Sequence, residues 1–263
     1  MRRIAIANQK GGVGKTTTAI NVGACLAVAE KKTLLVDVDP QGNATSGLGV
    51  TRDEGGPTLY DVLTGGATMN DAVRRTRLPF LDLVPSHPDL YGAEIELLEV
   101  PAREHLLREA LEPVAGEYEI VLIDCPPSLG VLTVNTLAAA RSVLVPIQCE
   151  YYALEGLSQL LATVRQVQRH LNPQLEIEGL VLTMTDARLN LSKQVAAEAR
   201  EYFGDKVYRT TIPRNVRLSE APGFGKPILL YDAQSAGAEA YMNLTREMMQ
   251  AWRTQEDGAS AKG

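Results

Sequence analysis

Two lysines share one short loop near the start of the chain, and their spacing describes a phosphate site. Lys10-Gly11-Gly12-Val13-Gly14-Lys15-Thr16-Thr17 follows the strand-like run Ile4 to Ala7 and opens a helix-compatible run that lasts through Ala29. Strand, glycine-rich loop and helix, in that order, are the context a P-loop needs. Glycines let the backbone turn tightly enough for successive N–H groups to face phosphate oxygens, and the helix adds the positive end of its dipole. Gly11, Gly12, Val13 and Gly14 are therefore expected to cradle a nucleotide. Lys15 is expected to reach its β- and γ-phosphates and the Thr16 hydroxyl to ligate Mg²⁺, with Thr17 completing the loop. A KGGxGKTT string arises by chance roughly once in a million chains of this size, so the motif is read as a nucleotide site. The general pattern GxxxxGK[ST] would put glycine at position 9, where Gln9 stands, followed by Lys10. Lys15 already serves the loop's own nucleotide, so Lys10 needs a target of its own.

Three aspartates end two apolar runs. Leu34-Leu35-Val36 leads into Asp37-Val38-Asp39-Pro40-Gln41-Gly42-Asn43, and Ile120 to Ile123 leads into Asp124-Cys125-Pro126-Pro127. Ligands of open parallel sheets collect at the carboxyl ends of the strands, so all three carboxylates can converge on the loop after the first strand. Asp124 fits the Walker-B role, holding a Mg²⁺-bound water, and Asp39 would face the γ-phosphate and position the attacking water. Asp37 is either a supporting carboxylate or a helix cap, and capping is the alternative for the other two.

The elements that must position these groups alternate between β-branched runs and longer helical patterns, as in βαβ units around a parallel sheet. Strands are predicted over Ile4 to Ala7, Thr33 to Val38, Leu81 to Val84, Ile120 to Ile123, Ser142 to Ile147 and Ile177 to Thr183. Most are continuously apolar, which fits a sheet covered by helices on both faces. Leu154, Leu157, Leu160, Leu161, Val164, Val167 and Leu171 recur at helical spacing, as do Leu106, Leu107, Ala110, Leu111 and Val114. Residues 50–80, broken by Gly55, Gly56, Pro57, Gly65 and Gly66, read as loops and short helices. The expectation is an α/β, single-domain P-loop fold over residues 1–253, with a mostly parallel twisted sheet and helices on both faces, followed by a disordered tail over 254–263.

At 263 residues and 45% apolar, the chain can bury a large core. It has no long apolar span and no cleavable signal pattern, so a soluble, cytoplasmic protein is expected. Cys25, Cys125 and Cys149 fit neither a metal pair nor a disulfide framework and read as reduced, buried thiols. The net charge of −6 argues at first against a nucleic-acid partner. Between Arg188 and Lys226, however, eight basic residues stand against four acidic ones, which allows a basic face on an acidic body.

At KGGVGKTT, VDVDPQGNATSGLG and IDCPPSLG the sequence resembles the ParA/Soj family of chromosome- and plasmid-partition ATPases, within the deviant Walker-A superfamily that also holds MinD, the nitrogenase iron protein and dethiobiotin synthetase. YRTTIPRNVRLSEAPGFGKPILLYD, residues 208–232, is similar to the carboxyl-half segment of the Soj branch, so the likeness extends to about Ala251. The resemblance implies ATP/ADP and Mg²⁺ as ligands and a homodimer that sandwiches ATP, with Lys10 of each subunit reaching the phosphates bound by the other. It further implies slow hydrolysis stimulated by a ParB-type partner, non-specific binding of double-stranded DNA by the dimer, and a cytoplasmic protein that is nucleoid-associated when ATP-bound. It assigns Arg188, Arg217 and Lys226 to DNA, with Arg214 close by, and Pro213 and Asn215 to the adenine side. Lys10 gains its target, since a cation delivered in trans can stabilise phosphoryl-transfer charge much as an arginine finger does.

The alternative is a MinD-like membrane-surface ATPase, which shares the loop and the dimer. It needs a basic amphipathic C-terminal helix, whereas Met248-Met249-Gln250-Ala251-Trp252-Arg253 is followed by Thr254-Gln255-Glu256-Asp257 with no basic face, so no membrane partner is expected. A redox role like that of the iron protein needs a cysteine pair in cluster loops, and Cys125 sits instead beside Asp124.

Overall fold

The computed structural model describes residues 1–51, 55–128, 130–150, 153–186 and 188–260. Seven strands form one sheet in the order β3-β4-β2-β5-β1-β6-β7. They are β1 (Arg2–Ile6), β2 (Thr33–Asp37), β3 (Arg74–Arg75), β4 (Leu81–Val84), β5 (Ile120–Asp124), β6 (Ser142–Gln148) and β7 (Glu176–Thr183). All pairings are parallel except β3 with β4. The six predicted strands are present. The pair Arg74–Arg75 was not predicted, because two charged residues carry no alternation. Placed antiparallel at the edge, with Arg75 Nε 3.8 Å from Asp82, it ends the sheet with charge and discourages further pairing.

Every residue of β2 and β5 is buried, as continuous apolar runs with helices on both faces require. Alternate residues divide between the faces. Ile4, Ile6, Leu35 and Leu122 pack with the helix α1 (Lys15–Val28) and the final helix Ala236–Ser260. Ala5, Val143, Val145 and Leu182 meet Leu157, Leu160, Val164 and Val167 of the helix Ala153–His170 on the other side. α1 is built from small residues and is buried almost all round, so it lies close on the sheet. A Cβ added at Gly23 would come within 3.3 Å of Leu81.

Residues 50–80 hold the expected short helices. Leu59–Leu63 and Met69–Ala72 each start at a capping box, Thr58 with Asp61 and Thr68 with Asp71, whose reciprocal bonds satisfy the first free N–H groups.

The final helix buries Tyr241, Leu244, Met248 and Trp252 at helical spacing. It continues to Ser260, so residues 254–260, assigned to a tail from their composition, are helical; 261–263 lie outside the described residues. The reason is tertiary. Arg2 stacks 4.9 Å over the Trp252 ring and pairs with Glu256 at 3.1 Å, which holds the turn that composition alone would release.

Candidate active site

β1 lies inside the sheet between β5 and β6, and register levels the strand ends: Ile6 faces Asp124 on β5, and Asp37 on β2 faces Asp124 from the other side. The loop that leaves β1 therefore rises beside both strands that end in aspartate, at the edge where ligands of parallel sheets bind.

Asn8 shapes the start of this loop. Its side-chain amide donates to the Pro146 carbonyl at 2.8 Å while its Oδ1 accepts the Lys10 N–H at 3.0 Å, which joins the loop to β6. Gly12 and Gly14 take φ of 74° and 88°, a left-handed conformation that favours glycine, and Gly14 caps α1. Cβ atoms built on Gly11 and Gly12 would meet nothing within 4 Å, so the concave side of the loop is open. On its far side Thr183, the last residue of β7, donates its hydroxyl to the Val13 carbonyl at 2.8 Å. The sequence reading missed Thr183. Its signal was available: a hydroxyl residue ends an apolar strand, at the ligand edge.

The two lysines face different ways. Lys15 is 6% exposed and donates to the Lys10 carbonyl at 3.3 Å. Burial lowers its pKa, opposed first by the nearby Asp124 carboxylate. Lys10 lies outside the loop, half-buried, with its Nζ 3.0 Å from Glu150.

Asp124 is fully buried, and neither carboxylate oxygen has a hydrogen-bond partner of ordinary geometry among the described residues. Burial and then the neighbouring Asp37 charge raise its pKa well above the usual carboxylate range, while the Thr16 hydroxyl and Lys15 pull it back. A buried carboxylate with two free oxygens, beside a hydroxyl and below an open loop, fits a site for a hydrated divalent cation, whose waters would satisfy both oxygens.

Asp37 combines the two roles open to it, meeting a free first-turn N–H of the short helix Asn43–Gly47 and supporting the adjoining loop. Its Oδ2 accepts the Thr45 N–H and hydroxyl, both at 2.7 Å, and Thr45 Oγ1 accepts the Ser86 N–H at 3.0 Å. Ser86 Oγ then donates to the Asp39 carbonyl at 2.5 Å. This network fixes the turn that carries Asp39, which is 7% exposed with one oxygen accepting the Gln41 N–H at 3.0 Å. Its second oxygen has no such tie in this turn, which suits it to orient a water.

Beside the loop a cavity of about 400 Å³ is lined by Gly14, Thr17, Thr183, Pro213, Asn215 and Tyr241, among others. Residues 207–214 form it by running along β7: the N–H groups of Tyr208 and Ile212 donate to the carbonyls of Leu180 and Leu182 at 2.9 and 2.8 Å. Pro213 and Asn215 thus reach this cavity beside the phosphate loop. Tyr241, also missed by the sequence reading, enters from the final helix and bonds Thr18 at 3.1 Å. A larger cavity of about 620 Å³ lies at the opposite end of the sheet. Lys31 pairs there with Glu119 at 2.7 Å and Arg141 with Glu176 at 3.6 Å, and the cavity's lining includes none of the phosphate loop or the three aspartates.

Arg188, Arg214 and Arg217 are exposed and Lys226 is half-buried. Arg188 clasps Asp186 at 2.9 and 2.7 Å, and Arg214 contributes to the same carboxylate's environment, holding its pKa down to about 2, Arg188 foremost. Arg217 pairs with Glu220 at 2.9 Å and Asp232 at 3.5 Å. The structure thus brings Arg188 and Arg214 together and sets Arg217 among its own carboxylates.

Fold and site together define a P-loop nucleotide-binding protein. Residues 1–177 match a family model described as "AAA domain". The chain is 59% identical to the sporulation initiation inhibitor protein Soj of Bacillus subtilis, over 93% of this chain and 97% of the relative. It is 56% identical to the chromosome partitioning protein ParA of Caulobacter vibrioides, over 99% and 98%. Among solved structures it is similar to a cobyrinic acid a,c-diamide synthase from Mycobacterium smegmatis with bound ADP and magnesium, with a TM-score of 0.86 and 38% identity over 97% of this chain and 96% of that one. The cell division ATPase MinD of Pyrococcus furiosus follows with a TM-score of 0.80 and 26% identity over 95% and 99%. The chain belongs to the Soj/ParA family of chromosome-partitioning ATPases. Among the described residues, no helix is long and apolar enough to cross a membrane.

Proposed function

We propose that this chain is an ATP-dependent dimerising switch that binds DNA without sequence preference and moves chromosomes or plasmids with a ParB-type partner, which stimulates its slow hydrolysis of ATP to ADP and phosphate. The observation that carries the reading is the division of labour between the lysines. Lys15 is buried in its own loop, close to Asp124, while Lys10 points out of the loop to the surface. A cation in the second position is not needed for the nucleotide its own subunit holds, but it can be offered to another. ATP as ligand is supported by the open glycine loop and by the structural relative that carries ADP and magnesium. Mg²⁺, held by Thr16 and through water by Asp124, would neutralise charge developing on the phosphates. Lys15 binds and orients the β- and γ-phosphates, Asp39 orients a water toward the γ-phosphate, and Pro213 and Asn215 flank the base. The reading is tested by measuring sedimentation and DNA binding on one sample with no nucleotide, with ADP and with ATP. Dimer and DNA complex should appear together and with ATP alone; DNA binding by an ADP-bound or nucleotide-free monomer would overturn it.

Asp39→Ala should retain ATP binding and dimerisation while turnover stops, since the turn's backbone bonds remain and the water-orienting carboxylate is lost. An ATP-locked dimer on DNA should accumulate. Loss of dimerisation in this variant would mean that Asp39 serves the interface.

The DNA surface assigned to Arg188, Arg214, Arg217 and Lys226 is supported by the exposure of the three arginines and by the exposed Arg217–Glu220 pair, which is weak enough for a phosphate to replace the carboxylate. Replacing Arg217 or Lys226 should weaken binding equally across DNA sequences. Each lost phosphate contact should lower the slope of log affinity against log salt by roughly one. A variant that loses affinity for one sequence and not another would show base readout instead.

A further inference from the structure

Lys10 is held in place within its own subunit by groups that the nucleotide site does not use. Its Nζ lies 3.0 Å from Glu150 Oε2, and the other oxygen of that carboxylate accepts the Gln148 side-chain amide at 2.5 Å. Gln148 is the last residue of β6, whose strand pairs with β1. The Glu150 N–H also donates to the Gln148 carbonyl at 2.8 Å, so the carboxylate stands on a short, fixed turn. The backbone of Lys10 is fixed as well: its N–H is held by Asn8, and its carbonyl accepts the Lys15 ammonium. The side chain is therefore the movable part, and among the described residues the anion it meets is Glu150.

We propose that Glu150 is an intramolecular latch for Lys10, which competes with the phosphates bound by a second copy of the chain. The inference rests on the sandwich reading above and gives it a regulatory step. One ammonium serves two alternative anions, a single carboxylate in cis or a polyphosphate in trans. A dimer forms when the second outbids the first, and ATP, with more negative charge than ADP, does so better. The Lys15 contact links the two events. A Lys15 ammonium drawn to its own phosphates leaves the Lys10 carbonyl and loosens the peptide that carries the latch. The pair is about one-third to one-half exposed, so it is weak and can open without help. It sets the threshold for dimerisation and does not forbid it.

The test is Glu150→Gln, which keeps the size of the side chain and its bond to Gln148 while removing the charge. Two latches open per dimer, so the Kd of the ATP-bound dimer, read by sedimentation, should fall roughly two- to thirtyfold, and less so at high salt. The nucleotide-free protein should stay monomeric, and fluorescent-nucleotide affinity of the monomer serves as the control for folding. In a Lys10→Ala background Glu150→Gln should change nothing. An unchanged or weaker dimer in the single variant would overturn the latch and make Glu150 inert or a contact of the dimer face. An equal gain without Lys10 would also overturn it, pointing to repulsion between subunits. If Lys10→Ala by itself dimerised normally, the sandwich reading would fail and the latch with it. If Lys10→Ala lost the dimer and Glu150→Gln were neutral, the latch alone would fail.

Discussion

Lys15→Ala should abolish ATP binding at concentrations that saturate the unsubstituted protein. The ammonium is the buried cation of the loop, at the N-terminus of α1, next to a carboxylate that helps to keep it charged. On the proposed reading it makes charge-assisted contacts to two phosphates, each worth roughly 1.5 to 3 kcal/mol. Their loss should weaken affinity by about two to four powers of ten. The backbone cradle would remain, because Thr183 still holds the Val13 carbonyl and Gly12 and Gly14 still allow the turn. Calorimetric titration with ATP and Mg²⁺ gives the answer. Affinity within a few-fold of the unsubstituted chain would reject this loop as the nucleotide site.

Lys10→Ala should have a different consequence, which separates this chain from an ordinary P-loop ATPase: the monomer should bind ATP normally, and the ATP-dependent dimer should be lost. Lys10 contacts Glu150 while Lys15 is buried in the loop, so on the proposed reading its contribution to nucleotide binding exists in the sandwich alone. A symmetric dimer has two such contacts. At roughly 1.5 to 3 kcal/mol each, dimerisation should weaken by about two to four powers of ten if the two add. DNA binding should fall with it although no DNA-facing residue has changed, and partner-stimulated hydrolysis should vanish. Sedimentation with excess ATP is decisive. A dimer of normal strength that hydrolyses ATP normally would remove Lys10 from the mechanism.

The phosphate loop, the aspartates and six strands were legible in the sequence because each rests on local chemistry. Glycines at 12 and 14 are needed by the backbone conformation itself, and the apolar runs of β2 and β5 specify burial wherever the strands end up. The lysine pair could be recognised by spacing alone, since both side chains leave the same eight-residue segment. β3 escaped because two arginines become a strand through their neighbour β4 and not through any pattern of their own. The helical path of residues 254–260 escaped for a related reason: it depends on Arg2 at the other end of the chain.

What the tertiary structure alone decided is which distant groups finish the site. Thr183 reaches the loop from 170 residues away, Glu150 meets Lys10 across 140, and Tyr241 meets Thr18 across 223. Thr183 is marked by its place at the end of an apolar strand, whereas nothing in the composition near Glu150 or Tyr241 marks those two. Their proximity comes from strand order: inserting β5 and β6 on either side of β1 puts the ends of late strands beside an early loop. Asp37 shows the same division. Its type and place at a strand end could be read from the sequence, but its task of bonding Thr45 and so steadying the turn of Asp39 follows from how the chain folds back after β2. The sequence by itself therefore determined that two cations, Lys10 and Lys15, share one glycine-rich loop behind the first strand. Packing of the sheet decided how those cations are held apart, because a hydrogen bond or ion pair between distant residues has no local propensity to announce it.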